Sequence, residues 1–246
     1  MKQEILKLYE KEGLFKNRIC LECRKSGKEK NYYPLGFWQV GKLFDREKIR
    51  IIFAGKPHRG NLDSKIIKEE NFLVADVNQI ANDLFFNKNW PYWSYTKEIL
   101  KKVYNTDDKG AWDRLAFTNV IKCSLERNER NDNTPDYLKQ FCLKEFGIFW
   151  KEILLLKPTH VVLYLGKHYD EYINNETIKS FIPAEKIDEI TSNDYYIQVG
   201  KKICWWWHRI IYLSNKEINI LRVCHPERKK KVDFTNEIVK WINKTS

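Results

Sequence analysis

Four cysteines are the residues whose types and spacing most directly predict chemistry in this chain. Cys20 and Cys23 form a CxxC pair, Cys123 closes an apolar segment, and Cys142 follows a polar stretch. Four thiolates suit either a tetrahedral zinc ion or a 4Fe-4S cluster, and spacing alone does not choose between them. Cys123 and Cys142 can also be read as small buried hydrophobic residues.

Polar residues follow three apolar stretches that are typical of buried strands, at residues 49–54, 116–121 and 218–223. Because the carboxyl ends of parallel strands lie along one edge of a sheet, we expect these polar residues to share a site. The candidates are Gly55, Lys56, Pro57, His58, Asn61 and Asp63 after the first strand, Asn119 within the segment 116–123, and His225 after the third.

The elements that must position these residues alternate between strand and helix, which predicts an α/β fold in one domain over residues 1–246. Its form is a three-layer α/β/α sandwich around a central, mostly parallel sheet. The CxxC pair is expected in a loop, and the segment 116–123 is expected as one buried strand. Further expected elements are a strand at 160–166, a hairpin at 195–207 turning at 200–201, and helices at 73–86, 94–104, 134–156 and 169–181 and at both ends.

The composition favours a protein that meets a polyanion. Lys and Arg number 44 against 33 Asp and Glu, a net charge of +11, and nucleic acid is the first candidate partner. A protein composition rich in Lys, Ile and Asn, as an AT-rich genome produces, explains the same charge. No apolar run approaches the roughly 20 residues needed to cross a bilayer, so we expect a cytoplasmic protein without a membrane partner. In that reducing setting the cysteines favour metal ligation over disulfides.

Taken in order, these motifs resemble those of the uracil-DNA glycosylase superfamily, most closely its iron-sulfur branch, the family-four type enzymes. The resemblance runs from about Cys20 to Pro226. It rests on Cys20 and Cys23, Gly55-Lys56-Pro57, Pro91-Tyr92, the TNVIKC stretch at 118–123, Cys142, Leu165-Gly166 and His225-Pro226.

The resemblance implies a uracil-DNA glycosylase-like fold and roles for several residues. Asn119 would read a flipped-out base, Tyr92 would stack on it, and His225 would stabilise the departing base. Gly55, Lys56 and Pro57 would line the base pocket, and Arg228, Lys229 and Lys230 would contact phosphates. Cys20, Cys23, Cys123 and Cys142 would hold a structural 4Fe-4S cluster. Plainer interpretations are a turn-forming Asn119, a structural His225 and a solvated basic run.

The first loop departs from the family pattern because Lys56 stands where the branch carries a glutamate that orients water. His58, Asn61 and Asp63 are the remaining candidates for that role. The implied function is a monomeric DNA glycosylase that removes uracil or a modified cytosine, in base-excision repair or anti-phage defence. One alternative is a catalytically inactive iron-sulfur DNA-binding module, and another is a zinc-stabilised nucleotide-binding protein.

Overall fold

The computed structural model describes residues 1–26, 33–34, 37–57, 74–125, 134–190, 197–199, 202–204, 206–227 and 229–246. The strands are β1 (Tyr33–Pro34), β2 (Gln39–Val40), β3 (Ile51–Gly55), β4 (Ala116–Asn119), β5 (Cys123–Ser124), β6 (His160–Tyr164), β7 (Lys186–Ile190), β8 (Ile197–Val199), β9 (Lys202–Cys204), β10 (Trp207–Leu213) and β11 (Lys216–Val223).

The α-helices within the same ranges are α1 (Lys2–Lys11), α2 (Arg18–Ser26), α3 (Val74–Phe86), α4 (Pro91–Tyr104), α5 (Asp108–Arg114), α6 (Asp136–Lys139), α7 (Ile148–Leu156), α8 (Asn175–Phe181) and α9 (Lys231–Lys244). Short 3₁₀ segments lie at Phe44–Arg46 and Lys167–Tyr172, and a π-helical turn spans Gln140–Phe146.

In the described part of the chain, seven strands form one sheet in the order β2-β4-β3-β6-β11-β10-β7. The four inner strands β4, β3, β6 and β11 are mutually parallel, whereas β2, β10 and β7 pair antiparallel at the two sides. The mixed α/β class and the parallel centre are therefore confirmed. The antiparallel strands β10 and β7 were not predicted.

Alternation along the strands divides the core into two layers, one on each face of the sheet. Ile52 and Ala54 of β3 pack with α1, α7 and α8, whereas Ile51 and Phe53 pack with α3, α4, α5 and α9. Successive side chains of a strand point to opposite faces, so a strand that is apolar throughout must be covered on both sides. The helices on both faces give the three-layer arrangement.

The segment 116–123 is not one continuous strand, which corrects the sequence prediction. β4 ends at Asn119, the chain turns through buried Val120 and Ile121, and Cys123 begins the short strand β5 paired with β1. Asn119 and Cys123 therefore lie on different elements. Because of this turn, Asn119 faces one pocket and Cys123 faces a separate cavity.

Helix starts and stops also differ from the prediction. The helix expected from Ser94 begins at Pro91, with Trp90 at its N-cap, because proline at the first helical position has no N–H to leave unpaired. The single helix expected over 134–156 is broken at Gly147, whose φ of 62° is left-handed. Cys142 consequently lies in the π-helical turn before that break.

The CxxC pair was expected in a loop but lies in α2, where the main-chain N–H of Cys20 donates to the Asn17 side chain at 2.8 Å. Residues three apart on a helix share a face, so Cys20 and Cys23 still point the same way. The hairpin predicted over 195–207 is confirmed only in the pairing of β8 with β9, with Val199 opposite Lys202. Its turn at 200–201 and residues 195–196 and 205 lie outside the described residues, and Trp207 begins β10 instead. Among the described residues, no helix is long and apolar enough to cross a membrane.

Candidate functional site

The carboxyl ends of the parallel strands meet along one line across the sheet. Asn119 is in register with Gly55, Gly55 with Tyr164, and Tyr164 with Val223. The residues after these positions enter the crevice where open α/β sheets bind ligands. The sheet therefore brings the described members of the three predicted groups, Gly55 to Pro57, Asn119 and His225, to one edge.

A pocket of about 360 Å³ opens at this line. Of the predicted residues it is lined by Lys56, Pro57, Tyr92, Asn119 and His225. Gly55 forms part of its floor, since a Cβ there would lie 3.2 Å from both the Asn119 amide and the Tyr92 ring. Its volume falls within the roughly 300–1,000 Å³ that small-molecule sites occupy.

Asn119 is buried, and its amide orientation follows from its hydrogen-bonding neighbours. In the orientation that satisfies them, the amide nitrogen donates to the Lys56 carbonyl at 3.0 Å and to the Thr118 carbonyl at 3.2 Å. The amide oxygen accepts from Trp38 Nε1 at 3.0 Å. Asn119 is thus a fixed polar group in a mainly aromatic pocket, bonded both to its own main chain at Thr118 and to the ends of neighbouring segments.

Tyr92 lies in the first turn of α4 and spans two strand ends. Its hydroxyl accepts weakly from the Lys56 main-chain N–H and donates weakly to the Tyr164 carbonyl, both at 3.4 Å. The ring centroid lies 4.5 Å from that of His225, with the rings nearly perpendicular. These contacts fix the orientation of an aromatic ring at the pocket wall.

His225 lies two residues after the end of β11, and its side chain is 27% exposed. Its Nδ1 accepts a hydrogen bond from the Glu227 main-chain N–H at 3.1 Å. A neutral imidazole that accepts at Nδ1 carries its proton on Nε2. The loop therefore selects the tautomer in which Nε2–H is a donor.

The predicted residues of the first loop are only partly described. His58, Asn61 and Asp63, the candidates for positioning water, lie outside the described residues, as does Arg228.

The other two residues of the predicted basic run are described. Lys230 is exposed at the N-cap of α9, and its Nζ lies 3.4 Å from Asp233 Oδ2. The Lys229 carbonyl accepts a hydrogen bond from the Tyr95 hydroxyl at 2.6 Å. The basic run thus begins a helix beside the pocket.

The four predicted cysteines converge on a second, smaller cavity. Cys20 and Cys23 from α2, Cys123 from β5 and Cys142 from the π-helical turn line a cavity of about 20 Å³. Its other walls are mostly aromatic and aliphatic, with Arg24 at one side. Among the described residues, no three His, Cys, Asp or Glu side chains are grouped as ligands of a single metal ion.

The thiols in this cavity interact with one another and with the main chain. Burial raises the pKa of Cys23 to about 11 and that of Cys142 to about 12. Burial, followed by the neighbouring thiols, also raises the pKa of Cys123. Burial also raises the pKa of Cys20, while the main chain of Phe15 lowers it; the main chain of Lys122 likewise lowers the pKa of Cys142. A bound metal would supply the positive charge that four thiolates need in such a place.

A buried ion pair separates the pocket from the cysteine cavity. Lys122 Nζ lies 2.7 Å from Glu152 Oε2, and the hydroxyls of Thr118 and Tyr9 donate to the same carboxylate. Burial raises the pKa of Glu152 and lowers that of Lys122, while their mutual attraction opposes both shifts. Sequence reasoning missed Glu152 because it lies among apolar residues of α7 and carries no motif.

Glu227, from the polar stretch 225–227 expected at this edge, also lines the pocket. Trp38 and Trp90 line it too and were not predicted as site residues. Trp38 precedes β2, and its position depends on the antiparallel pairing of β2 with β4. No pattern in the sequence around Trp38 predicts that pairing. Trp90 is 53% exposed at the rim, a large apolar surface that a soluble fold ordinarily covers.

Comparisons of the chain with protein-family models, with curated proteins and with solved structures found no match.

Proposed function

We propose that this protein is a DNA glycosylase that hydrolyses the N-glycosidic bond of a flipped-out pyrimidine and leaves an abasic site. The observation that carries the proposal is the single pocket that gathers Lys56, Pro57, Tyr92, Asn119 and His225 from three strand ends and α4. These are the positions at which the sequence resembles the iron-sulfur branch of the uracil-DNA glycosylase superfamily. The proposed substrate is uracil or a modified cytosine in DNA.

Binding in this pocket combines stacking with polar recognition. The Tyr92 ring offers a face to the extruded base, and such stacking contributes about 1–3 kcal/mol per base without reading its identity. Asn119 supplies the polar group that reads the base edge. Because Asn119 is held by three hydrogen bonds, it is already oriented before the base arrives.

The reaction breaks the bond between N1 of the base and C1′ of the sugar, and both electrons leave with the base. A water oxygen bonds to C1′ and releases a proton, which neutralises the departing base anion. His225 Nε2–H donates to the base oxygen on which negative charge grows, since Nδ1 is already occupied by the Glu227 N–H. His58, Asn61 and Asp63 are the proposed candidates for positioning the water.

Cys20, Cys23, Cys123 and Cys142 are proposed to hold a 4Fe-4S cluster. The four thiols line one mainly apolar cavity, as the ligands of one buried cluster would. Four thiolates suit zinc as well, and it is the resemblance to the iron-sulfur branch that favours the cluster. When bound, the cluster supplies a cross-link between α2, β5 and the π-helical turn.

The partner is DNA, met by a protein with a net charge of +11. Lys229 and Lys230, with Arg228 before them, follow His225 closely enough in the chain to contact phosphates next to the flipped nucleotide. We place the enzyme as a cytoplasmic monomer acting in base-excision repair or anti-phage defence.

The test is incubation of the purified protein with oligonucleotides that carry uracil, cytosine, 5-hydroxymethylcytosine or its glucosylated form. Alkali-labile abasic sites on at least one of them are expected. Tight, salt-dependent DNA binding without product on any oligonucleotide would support the alternative, a catalytically inactive iron-sulfur DNA-binding module.

A further inference from the structure

Trp90 lies at the rim of the pocket and has no part in the proposed reaction steps. The residue is 53% exposed, whereas Trp38 and Trp93, which line the same pocket, are buried. The other large apolar residues that are exposed in the described part of the chain do not line the pocket, and they are Leu21, Phe86, Ile190 and Val232. Exposed apolar surface and the pocket therefore meet at Trp90.

The main chain of Trp90 is held in place by the helix that it precedes. Trp90 is the N-cap of α4, with an extended backbone at φ −71° and ψ 140°. Its carbonyl accepts a hydrogen bond from the Ser94 main-chain N–H at 2.9 Å, and Pro91 fixes the first helical φ. Ile99 and Leu100 of the same helix are fully buried. The indole is thus presented from a rigid support, so little backbone freedom is lost when a ligand binds to it.

The surface around the Trp90 ring is polar and partly basic. The three residues before it, at 87–89, are Asn, Lys and Asn, and all three are exposed. Lys56 and Glu227 line the same pocket. A face that docks another protein ordinarily carries a contiguous apolar patch, whereas one exposed indole among polar groups offers a flat surface to a single planar ligand. A nucleobase in a polyanionic chain has that chemistry.

We propose that Trp90 stacks on the base next to the flipped-out nucleotide in the same DNA strand. This inference rests on the proposed glycosylase function, because it takes a nucleotide of DNA as the occupant of the pocket. The nucleotides on either side of an extruded one are covalently joined to it, so they must lie at the pocket rim. Extrusion also removes a stacking partner from these neighbours, and an aromatic ring at the rim replaces that partner.

The experiment measures the coupling between Trp90 and the neighbouring bases by DNA binding, without excision. One duplex carries a single tetrahydrofuran abasic analogue, and the second carries three in a row, so only the second lacks the bases on both sides. The ratio of the two Kd values in wild-type protein, divided by the same ratio in Trp90→Ala, isolates the contact from other effects of the missing bases. We expect this coupling to be about fivefold or more. A coupling of one would overturn the inference.

Two further variants separate stacking from general damage. Trp90→Phe keeps an aromatic face and is expected to retain part of the coupling. Phe86→Ala is the matched control, because Phe86 is also an exposed aromatic residue but packs on Phe85 and Trp112 and does not line the pocket. It is expected to keep the wild-type ratio of Kd values. An equal loss of coupling in Phe86→Ala would contradict a specific role for Trp90.

The result is independent of the excision assay. Coupling without excision on any oligonucleotide supports Trp90 as a stacking residue while the glycosylase proposal fails. Excision without coupling overturns the role of Trp90 and leaves the glycosylase function standing. Loss of self-association in Trp90→Ala, measured by size-exclusion chromatography and without coupling to DNA, would assign the exposed ring to a contact between copies of the chain and contradict the inference. No binding of either duplex would contradict both proposals.

Discussion

Lys122 Nζ and Glu152 Oε2 lie 2.7 Å apart, and both side chains are almost completely excluded from solvent. The pair lies directly behind the end of β4, where the Lys122 ammonium also donates to the Thr118 hydroxyl. Because Asn119 follows Thr118 and Cys123 follows Lys122, one buried ion pair supports both the pocket and the cysteine cavity.

Glu152→Gln is expected to destabilise the fold by about 3–5 kcal/mol, because it leaves the Lys122 ammonium buried without a compensating charge. Urea unfolding followed by tryptophan fluorescence measures the change. The control is Glu12→Gln, which breaks the more exposed pair with Lys151 and is expected to cost at most about 1 kcal/mol. Equal losses in the two variants would show that the buried pair has no special structural role.

Each of the four cavity cysteines is expected to be needed for iron. Cys→Ser substitution at 20, 23, 123 or 142 should lower the iron content and the visible absorbance of anaerobically purified protein. Cys224→Ser is the matched control, since Cys224 packs with the core on the α4 side of the sheet and does not line the cysteine cavity. Zinc without iron in the wild-type protein, or full iron retention in the four variants, would rule out the proposed cluster.

Gly55→Ala is expected to reduce activity more than stability. The added methyl group would lie 3.2 Å from the Asn119 amide and the Tyr92 ring, so it displaces the groups that read and stack the base. We expect kcat/KM to fall by about 10- to 100-fold. Ala54→Gly, one residue earlier and facing the opposite core layer, should instead lower the melting temperature while excision is retained.

Stability is expected to fall as the pH drops below neutrality because of His160. Burial lowers the pKa of His160 to about 4, so the unfolded chain, with a pKa near 6.5, binds the proton more readily. Stability is complete above about pH 6.5, and about 3 kcal/mol is lost by pH 4.

Melting temperatures measured from pH 7 to pH 4 test this dependence. His160→Gln should flatten the curve, although not fully, because burial also lowers the pKa of His208. His168→Gln, at an exposed position, should follow the wild-type curve. A wild-type slope in His160→Gln would exclude His160 as the source.

The parallel centre of the fold was predictable because apolar runs such as 49–54 and 160–166 indicate buried strands from the local sequence alone. The strands β10 and β7 were not predictable in the same way. The β10–β11 turn uses Ser214 and Asn215 at φ values of 48° and 60°, a left-handed pair that is usually marked by glycine. Because the turn contains no glycine, the local sequence does not predict this hairpin.

Residues of the candidate site were predictable where they lie at or just after the end of a strand. Gly55, Asn119 and His225 could be placed together because parallel strands end at one edge of the sheet. Trp38 and Glu152 could not, since their roles depend on pairing and packing between distant segments. The helical position of Cys20 and Cys23 was missed because a CxxC spacing fits a loop and one helix face equally well.

The most direct test of the central claim is the rate of abasic-site formation by wild-type protein, Asn119→Ala and His225→Ala on the best oligonucleotide of the panel. We expect measurable wild-type excision and losses of about a hundredfold or more in both variants, each of which should still be folded at the assay temperature. Excision at the wild-type rate in either variant, or no excision by the wild-type protein on any base, would contradict the account.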